Sequence, residues 1–323
     1  MTQLEHDGSA AQDLQGLVVS LDRGLPLVLI TDVAGDGVRE IRAQHSIDLV
    51  KNTEIRATVG DTVTLEFPPA QDTPLISAIA PRRTALVRRS MVESIHEGPG
   101  RFEEQILAVN FDIAFVVTAL DNHPLDGDYL EHQLVMAHQS GAEVALILAK
   151  ADQAAHLEAD VSFASQIAHG CPLIVESAVT GEGLGIIADM LATGRIGVLF
   201  GRSGVGKSTL INELLGAPLL KTGEVRARDR GGRHTTVTRR LVKLPRGGAL
   251  IDTPGLRSLG LYNAHEGLAA TFPEIVEQAA DCRYRDCTHT NEPDCAVRQA
   301  VCEGKIDERR LISYCTVYRE VVD

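Results

Sequence analysis

The stretch GRSGVGKST at residues 201–209 follows the apolar run IGVLF (196–200) and precedes the helix-like TLINELLG (209–216). It satisfies G-x-x-x-x-G-K-[ST] in the strand–loop–helix setting that this motif requires. Gly201, Gly204 and Gly206 let the backbone wrap a phosphate chain with its N–H groups. Lys207 adds charge at the β- and γ-phosphates, Ser208 is placed to ligate Mg²⁺, and the helix N-terminus favours an anion. The whole loop, including Arg202, Ser203, Val205 and Thr209, is therefore expected to hold a nucleoside triphosphate.

Outward from this loop the chain alternates apolar, β-branched runs with helical stretches. ILAVNFDIAFVVTAL (106–120), VALILAK (144–150), CPLIVESA (171–178) and RIGVLF (195–200) read as buried strands, with DYLEHQLVMAHQSG (128–141) and GLGIIADMLAT (183–193) as helices between them. That rhythm predicts a parallel α/β sheet. Base selection is legible on the same strands. Ala149-Lys150-Ala151-Asp152 follows VALIL: Asp152 can accept from the guanine N1 and N2 hydrogens, and the Lys150 stem can cover the base. The pattern resembles the GTPase N/T-K-x-D element, with Ala149 in place of the usual Asn or Thr, which removes a polar side chain that normally braces the pocket. Ser177 and Ala178 end the next strand, as in the element whose backbone N–H meets the guanine oxygen. LIDTPGL (250–256) supplies Asp252 for Mg²⁺ through water and the Gly255 N–H for the γ-phosphate. In RGGRHTTVT (230–238), Thr235 or Thr236 could close on Mg²⁺ as a first switch. Base recognition thus precedes the phosphate loop, which precedes both switches. This is the order of a circularly permuted GTPase, and it runs the second switch directly into the C-terminal region.

Leu256 occupies the place where Ras-like enzymes carry a water-orienting Gln, so another group must do that work. His234, beside the two threonines, is the available polar candidate. His132, in DYLEHQL, reads as a packing or surface residue.

The chain has 323 residues, 44% hydrophobic and 23% charged, enough for two or three domains and unlike any fibrous or wholly disordered class. No apolar run of membrane-spanning length occurs, and the acidic amino terminus has no signal-peptide core. Residues 1–14 read as a loose tail. Between Gly16 and Pro81, five short strand-like segments (GLVVSLD, PLVLITD, GVREIRAQ, EIRAT and DTVTLEF) predict a small barrel over 15–84, OB-like in the best-known five-stranded case, although an SH3-like barrel gives nearly the same pattern. The basic PRRTALVRRS and a Gly-Pro-Gly break read as a linker over 85–104. The GTPase unit is expected over 105–263 and a mainly helical unit over 264–323.

In that last unit Cys282, Cys287, His289 and Cys295 form C-x4-C-x-H-x5-C. Three thiolates and one imidazole suit tetrahedral Zn²⁺, and four protein ligands leave no open position, so the zinc is expected to be structural. Cys171, Cys302 and Cys315 fall outside that spacing and read as packing residues. The net charge of −13 argues against indiscriminate nucleic-acid binding, yet residues 221–246 hold nine Lys/Arg against Glu224 and Asp229. Arg82, Arg83, Arg88 and Arg89 form a second basic group. With no tryptophan and one barrel aromatic, Phe67, binding to folded RNA by shape and charge fits better than base stacking.

A barrel, a permuted GTPase and a Cys/His tail, carried by GRSGVGKST, GGRHTT, DTPGL, DYLEHQL and the cysteine cluster, together resemble the bacterial ribosome small subunit-dependent GTPase A family over about 16–320. The resemblance implies a cytoplasmic GTPase that acts late in small-subunit assembly. Its partners would be the rRNA and ribosomal proteins of that subunit together with GTP and GDP, and stimulation would come from the subunit. A monomer without membrane contact is expected. The competing readings are a P-loop ATPase or kinase, against which K-x-D with Ser-Ala argues, and an RNA-binding module that uses nucleotide only structurally, against which DTPGL argues.

Overall fold

In the computed structural model of the chain, the described residues are 14–22, 25–31, 37–53, 55–69, 71–92, 101–121, 123–220, 239–253 and 260–322. Of the tail expected over residues 1–14, residues 1–13 lie outside them and Leu14 is already a strand residue. The N-terminal unit contains β1 (Leu14–Asp22), β2 (Leu25–Thr31), β3 (Val38–Arg42), β4 (Gln44–His45), α1 (Ile47–Asn52), β5 (Thr62–Glu66) and β6 (Leu75–Ile79). β1 pairs antiparallel with β2 and β5, β2 with β3, and β5 with β6. β4, one residue after β3, runs parallel to β6 and closes the circuit. With β3 and β4 taken as one bent strand, this is a five-stranded OB-like barrel around Val18, Val28, Ile30, Val63, Leu65 and Ile76.

Two strand expectations differ from this barrel. Residues 55–58 of EIRAT form no strand, because their backbone donors go to side chains: Ala57 N to His45 Nε2 at 3.0 Å, and Thr58 N to Asp61 Oδ2 at 2.8 Å. The last strand is instead LISAI, β6, a short segment behind Pro74. The expected linker over 85–104 also differs. β7 (Ala85–Val92) and β8 (Arg101–Val109) pair antiparallel from Ala85↔Val109 to Val92↔Arg101. Arg88 and Arg89, which suggested a solvated connector, are consecutive strand residues and so point to opposite faces, Arg88 donating to Gln105 of β8 at 2.7 Å.

The central unit contains β9 (Ile113–Ala119), α2 (Gly127–Gln139), β10 (Glu143–Ala149), α3 (Leu157–Ala168), β11 (Leu173–Val175), α4 (Leu184–Leu191), β12 (Ile196–Phe200), α5 (Lys207–Leu215), β13 (Arg239–Lys243) and β14 (Ala249–Asp252). Its strand order is β11-β10-β9-β12-β14-β13. All neighbours are parallel except the antiparallel β13. β9 lies between β10, which follows it in the chain, and β12, which comes three strands later. Ligands of open α/β sheets bind outside the carboxyl ends of the strands at such a reversal of order. β13 also pairs with β1 through Ser20↔Arg240 and Leu21↔Arg239, so barrel and α/β sheet are continuous.

The C-terminal unit contains α6 (His265–Thr271), α7 (Pro273–Ala279), α8 (Ala296–Cys302) and α9 (Glu308–Val322), and it packs on α2. Gly267 lies against the Val135 carbonyl with no room for a side chain. Glu131, fully buried, accepts from Arg309 at 2.8 and 3.0 Å and from Arg310 at 2.8 Å. Arg310 continues to Glu274 and the Thr271 carbonyl, each at 2.8 Å, and its guanidinium sits 4.5 Å from the Phe272 ring centre. His132, read from sequence as packing or surface, pairs with Glu320 of α9 at 2.6 Å. Removing one partner of a buried ionic cluster leaves the others uncompensated, at a cost of about 3–5 kcal/mol. Glu131→Ala is therefore expected to lower thermal stability and to open the region beyond residue 263 to protease, with Glu131→Gln less severe. Thermal unfolding and limited proteolysis measure both.

Candidate active site and metal centre

β12 ends in Val198, Leu199 and Phe200, all fully buried, and delivers Gly201 against β9. A side chain at Gly201 would collide with the Val117 carbonyl, which explains the glycine. Gly204 and Gly206 adopt φ of 86° and 112°, the left-handed region open to glycine. The Lys207 side chain folds back inside the loop, and its Nζ donates to the carbonyls of Gly201 at 2.8 Å and Arg202 at 2.9 Å. Burial pulls its ammonium down to about 8, and Asp252 opposes that shift. A phosphate chain in the loop would favour the charged form further and raise that value. Ser208 and Thr209 open α5. Asp252 ends β14, whose position is pinned by Thr253 Oγ1 donating to the Leu199 carbonyl at 2.8 Å. Arg202 points away from the loop, donating to Asp126 at 2.8 Å with its guanidinium 3.7 Å from the Tyr129 ring centre.

The base element lies beside this loop. A Cβ on Gly206 would stand 3.8 Å from the Ala149 Cβ and 4.0 Å from the Lys150 Cε. After β10 the chain turns at Lys150, with φ of 63°, into a short 3-10 turn over Ala151–Gln153. The Ala151 N–H donates to the Glu176 carbonyl at 2.9 Å. The Ser177 hydroxyl donates to Asp152 Oδ1 at 2.6 Å and accepts from the Thr180 N–H at 3.2 Å. Ser177 thus holds the Asp152 carboxylate through Oδ1, and the two oxygens of such a carboxylate can together accept two parallel donors. Residues 149–152, 177–178 and 201–209, separate in sequence, converge at the carboxyl ends of β10, β11 and β12. His234, Thr235, Thr236, Gly255 and Leu256 lie outside the described residues, as does the basic stretch up to residue 238. Sequence reasoning missed the Arg202–Asp126–Tyr129 contact and the buried Glu176. Neither carries a local signal, since each depends on a distant element.

The metal candidates also converge. The ligand atoms of Cys282, Cys287, His289 and Cys295 lie within 4.8 Å of one another. His289 Nδ1 is 3.4 Å from Cys295 Sγ and 3.7 Å from Cys282 Sγ, and the two sulfurs are 3.9 Å apart. Tetrahedral ligands at metal bonds of about 2.0–2.3 Å stand roughly 3.5–3.8 Å from one another, so the donor set fits a four-coordinate metal ion. The Arg298 N–H points to Cys295 Sγ at 3.5 Å, a backbone donor suited to a thiolate. Cys171 and Cys315 make other contacts, with His138 at 3.6 Å and the Thr288 carbonyl at 3.7 Å.

A glycine-rich loop at the end of β12, the Asp152 turn beside it and a chain order that puts that turn first give the layout of a circularly permuted GTPase. Residues 79–262 match the RsgA GTPase family. The chain belongs to that family and is a GTP-hydrolysing enzyme. It is 42% identical over 313 residues to the small ribosomal subunit biogenesis GTPase RsgA of Streptomyces coelicolor, covering 95% of this chain and 80% of that protein. The protein of the same name from Streptomyces avermitilis is 41% identical over 310 residues, covering 95% and 79%. Among solved structures, YjeQ from Thermotoga maritima superposes with a TM-score of 0.70 at 25% identity, covering 96% of this chain and 99% of that one. YloQ, described as a circularly permuted GTPase, gives a TM-score of 0.65 at 23% identity and shares the fold, covering 100% and 98%.

Ligand removal at the metal cluster should act locally, because the phosphate loop is held by the α/β sheet and the cluster by the helical C-terminal unit. Chelation, or Cys287→Ala, is expected to lower the melting temperature and loosen α8 and α9 while nucleotide affinity stays near its original value. Calorimetry with parallel nucleotide titration checks this.

Proposed function

We propose that the protein hydrolyses GTP in the late maturation of the small ribosomal subunit and couples hydrolysis to docking on, and release from, that subunit. Guanine selection rests on one observation, the Ser177–Asp152 hydrogen bond beside the phosphate loop. The ribosomal assignment rests on the curated relatives' name, small ribosomal subunit biogenesis GTPase, over 95% of the chain. The barrel over 15–84 and the metal-bearing unit over 264–323 flank the GTPase unit over 105–263 as docking modules for rRNA and ribosomal proteins. The metal is structural Zn²⁺, given three thiolates and one imidazole with no open position. The protein works in the cytoplasm as a monomer that alternates between GTP and GDP.

In this reading Asp152 accepts from the guanine N1 and N2 hydrogens, Lys150 covers the ring, and the Ala178 N–H meets the guanine oxygen. The backbone N–H groups of 201–209 and Lys207 cradle the phosphates. Mg²⁺, when bound by Ser208 and through water by Asp252, neutralises charge on the β- and γ-oxygens. Thr235 or Thr236 and the Gly255 N–H close on the γ-phosphate side. His234 orients the attacking water, the work that Leu256 cannot do, and the basic stretch around it gives a phosphate-rich partner a means of ordering it.

Asp152→Asn is expected to move preference from guanine to xanthine nucleotides, because the amide donates where the carboxylate accepted. Competition binding reads this, and an unchanged GTP affinity would sink the pocket assignment. His234→Ala should keep GTP binding and cosedimentation with small subunits, yet lose about 10- to 1000-fold in subunit-stimulated phosphate release. Normal stimulated turnover in a variant that still cosediments would assign water positioning to another group.

A further inference from the structure

Glu176 stands one residue before Ser177, and the nucleotide chemistry above makes no use of its carboxyl. The residue is 2% exposed. Its backbone is fixed at both ends, the N–H donating to the Leu148 carbonyl at 2.8 Å and the C=O accepting from the Ala151 N–H at 2.9 Å. Those two bonds set Glu176 opposite Lys150, whose backbone N–H favours the charged carboxyl, while Oε1 has no hydrogen-bond partner among the described residues. Burial pushes the acid up to about 7, with Asp152 and Glu213 adding to the shift and the Lys150 N–H opposing it.

A carboxyl sealed in this way is costly where a β-branched apolar residue would pack, so its position under one particular turn calls for a reason. Lys150 supplies it. This lysine holds the left-handed conformation at φ 63°, which a side-chain-bearing residue keeps only when its surroundings enforce it. The same turn aims both the Lys150 stem and Asp152. In the GTPase base element the residue before the lysine normally carries a polar side chain that braces this turn. Here Ala149 offers a methyl group, buried against the phosphate loop at Gly206.

We propose that Glu176 is a positioning residue for guanine recognition: by holding the Lys150 N–H its carboxyl replaces the brace that Ala149 lacks and fixes the turn from which Lys150 and Asp152 meet the base. Ser177 then aligns the Asp152 carboxylate, while Glu176 aligns the backbone that carries it. The inference rests on the reading of Asp152 as the guanine acceptor.

The test compares the full chain carrying Glu176→Gln, Glu176→Leu, Ala149→Asn, or Glu176→Leu with Ala149→Asn. GDP affinity, KM, kcat and melting temperature are measured for each, with Asp152→Asn in parallel. Glu176→Gln keeps an acceptor and should bind GDP as the parent does. Glu176→Leu should weaken GDP about 10-fold, the worth of one buried hydrogen bond, and raise KM by the same factor while kcat holds. Adding Ala149→Asn should recover most of that loss, a rescue that general loss of packing would not give. Should Glu176→Leu fail to fold, Glu176→Thr, which suits a strand end but cannot reach the Lys150 N–H, takes its place in the same cycle. Parental affinity in Glu176→Leu, or no recovery in the double variant, would overturn the inference. An unchanged base preference in Asp152→Asn would instead bring down the pocket reading on which it stands.

Discussion

Gly201 lies so close to the Val117 carbonyl of β9 that no side chain fits between them, and the rest of the site takes its bearings from that contact. It fixes where β12 stops and the phosphate loop begins. β10, paired along the whole of β9 up to Ala149↔Ala119, then brings the base turn to the same height. β14, paired with β12, brings Asp252 alongside Lys207. Three segments distant in sequence meet because they leave one sheet at one edge. Permuting the chain changes which of them is synthesised first and leaves that edge as it is.

The polar groups beneath the site divide the work by distance from the nucleotide. Lys207 turns inward to two carbonyls of its own loop, so its charge is in place before a phosphate arrives. Ser177 holds the acceptor carboxylate, and farther out Arg202 ties the loop to the start of α2 through Asp126 and Tyr129. The same helix carries Glu131 and His132, which bind α9. One helix therefore touches the phosphate loop at its first turn and the C-terminal unit along its flank.

What the sequence made legible follows from how local each signal is. The phosphate loop, the K-x-D and Ser-Ala pair and the four metal ligands are short patterns whose chemistry dictates their spacing, and the described members of each lie together in the structure. The barrel was legible as a class. Its fourth strand was misplaced because EIRAT has strand-like composition while its backbone is claimed by His45 and Asp61. β7 and β8 looked like a linker because the adjacent Arg88 and Arg89, followed by a Gly-Pro-Gly break, resemble a solvated connector. Glu131 was invisible as a buried anchor, since a glutamate on an amphipathic helix reads as surface until α9 arrives from the other end of the chain.

The pairing of β1 with β13 joins the barrel to the α/β sheet by hydrogen bonds as well as by chain connection. Modules linked only by a flexible tether swivel independently, and an anchored one exerts no torque on the other. Modules that share a sheet edge turn together. The strand that makes this seam begins at Arg239, the first described residue after the segment bearing His234. A surface that seized the barrel would therefore set the angle at which that segment rejoins the sheet, much as a hinge pin sets the swing of a door.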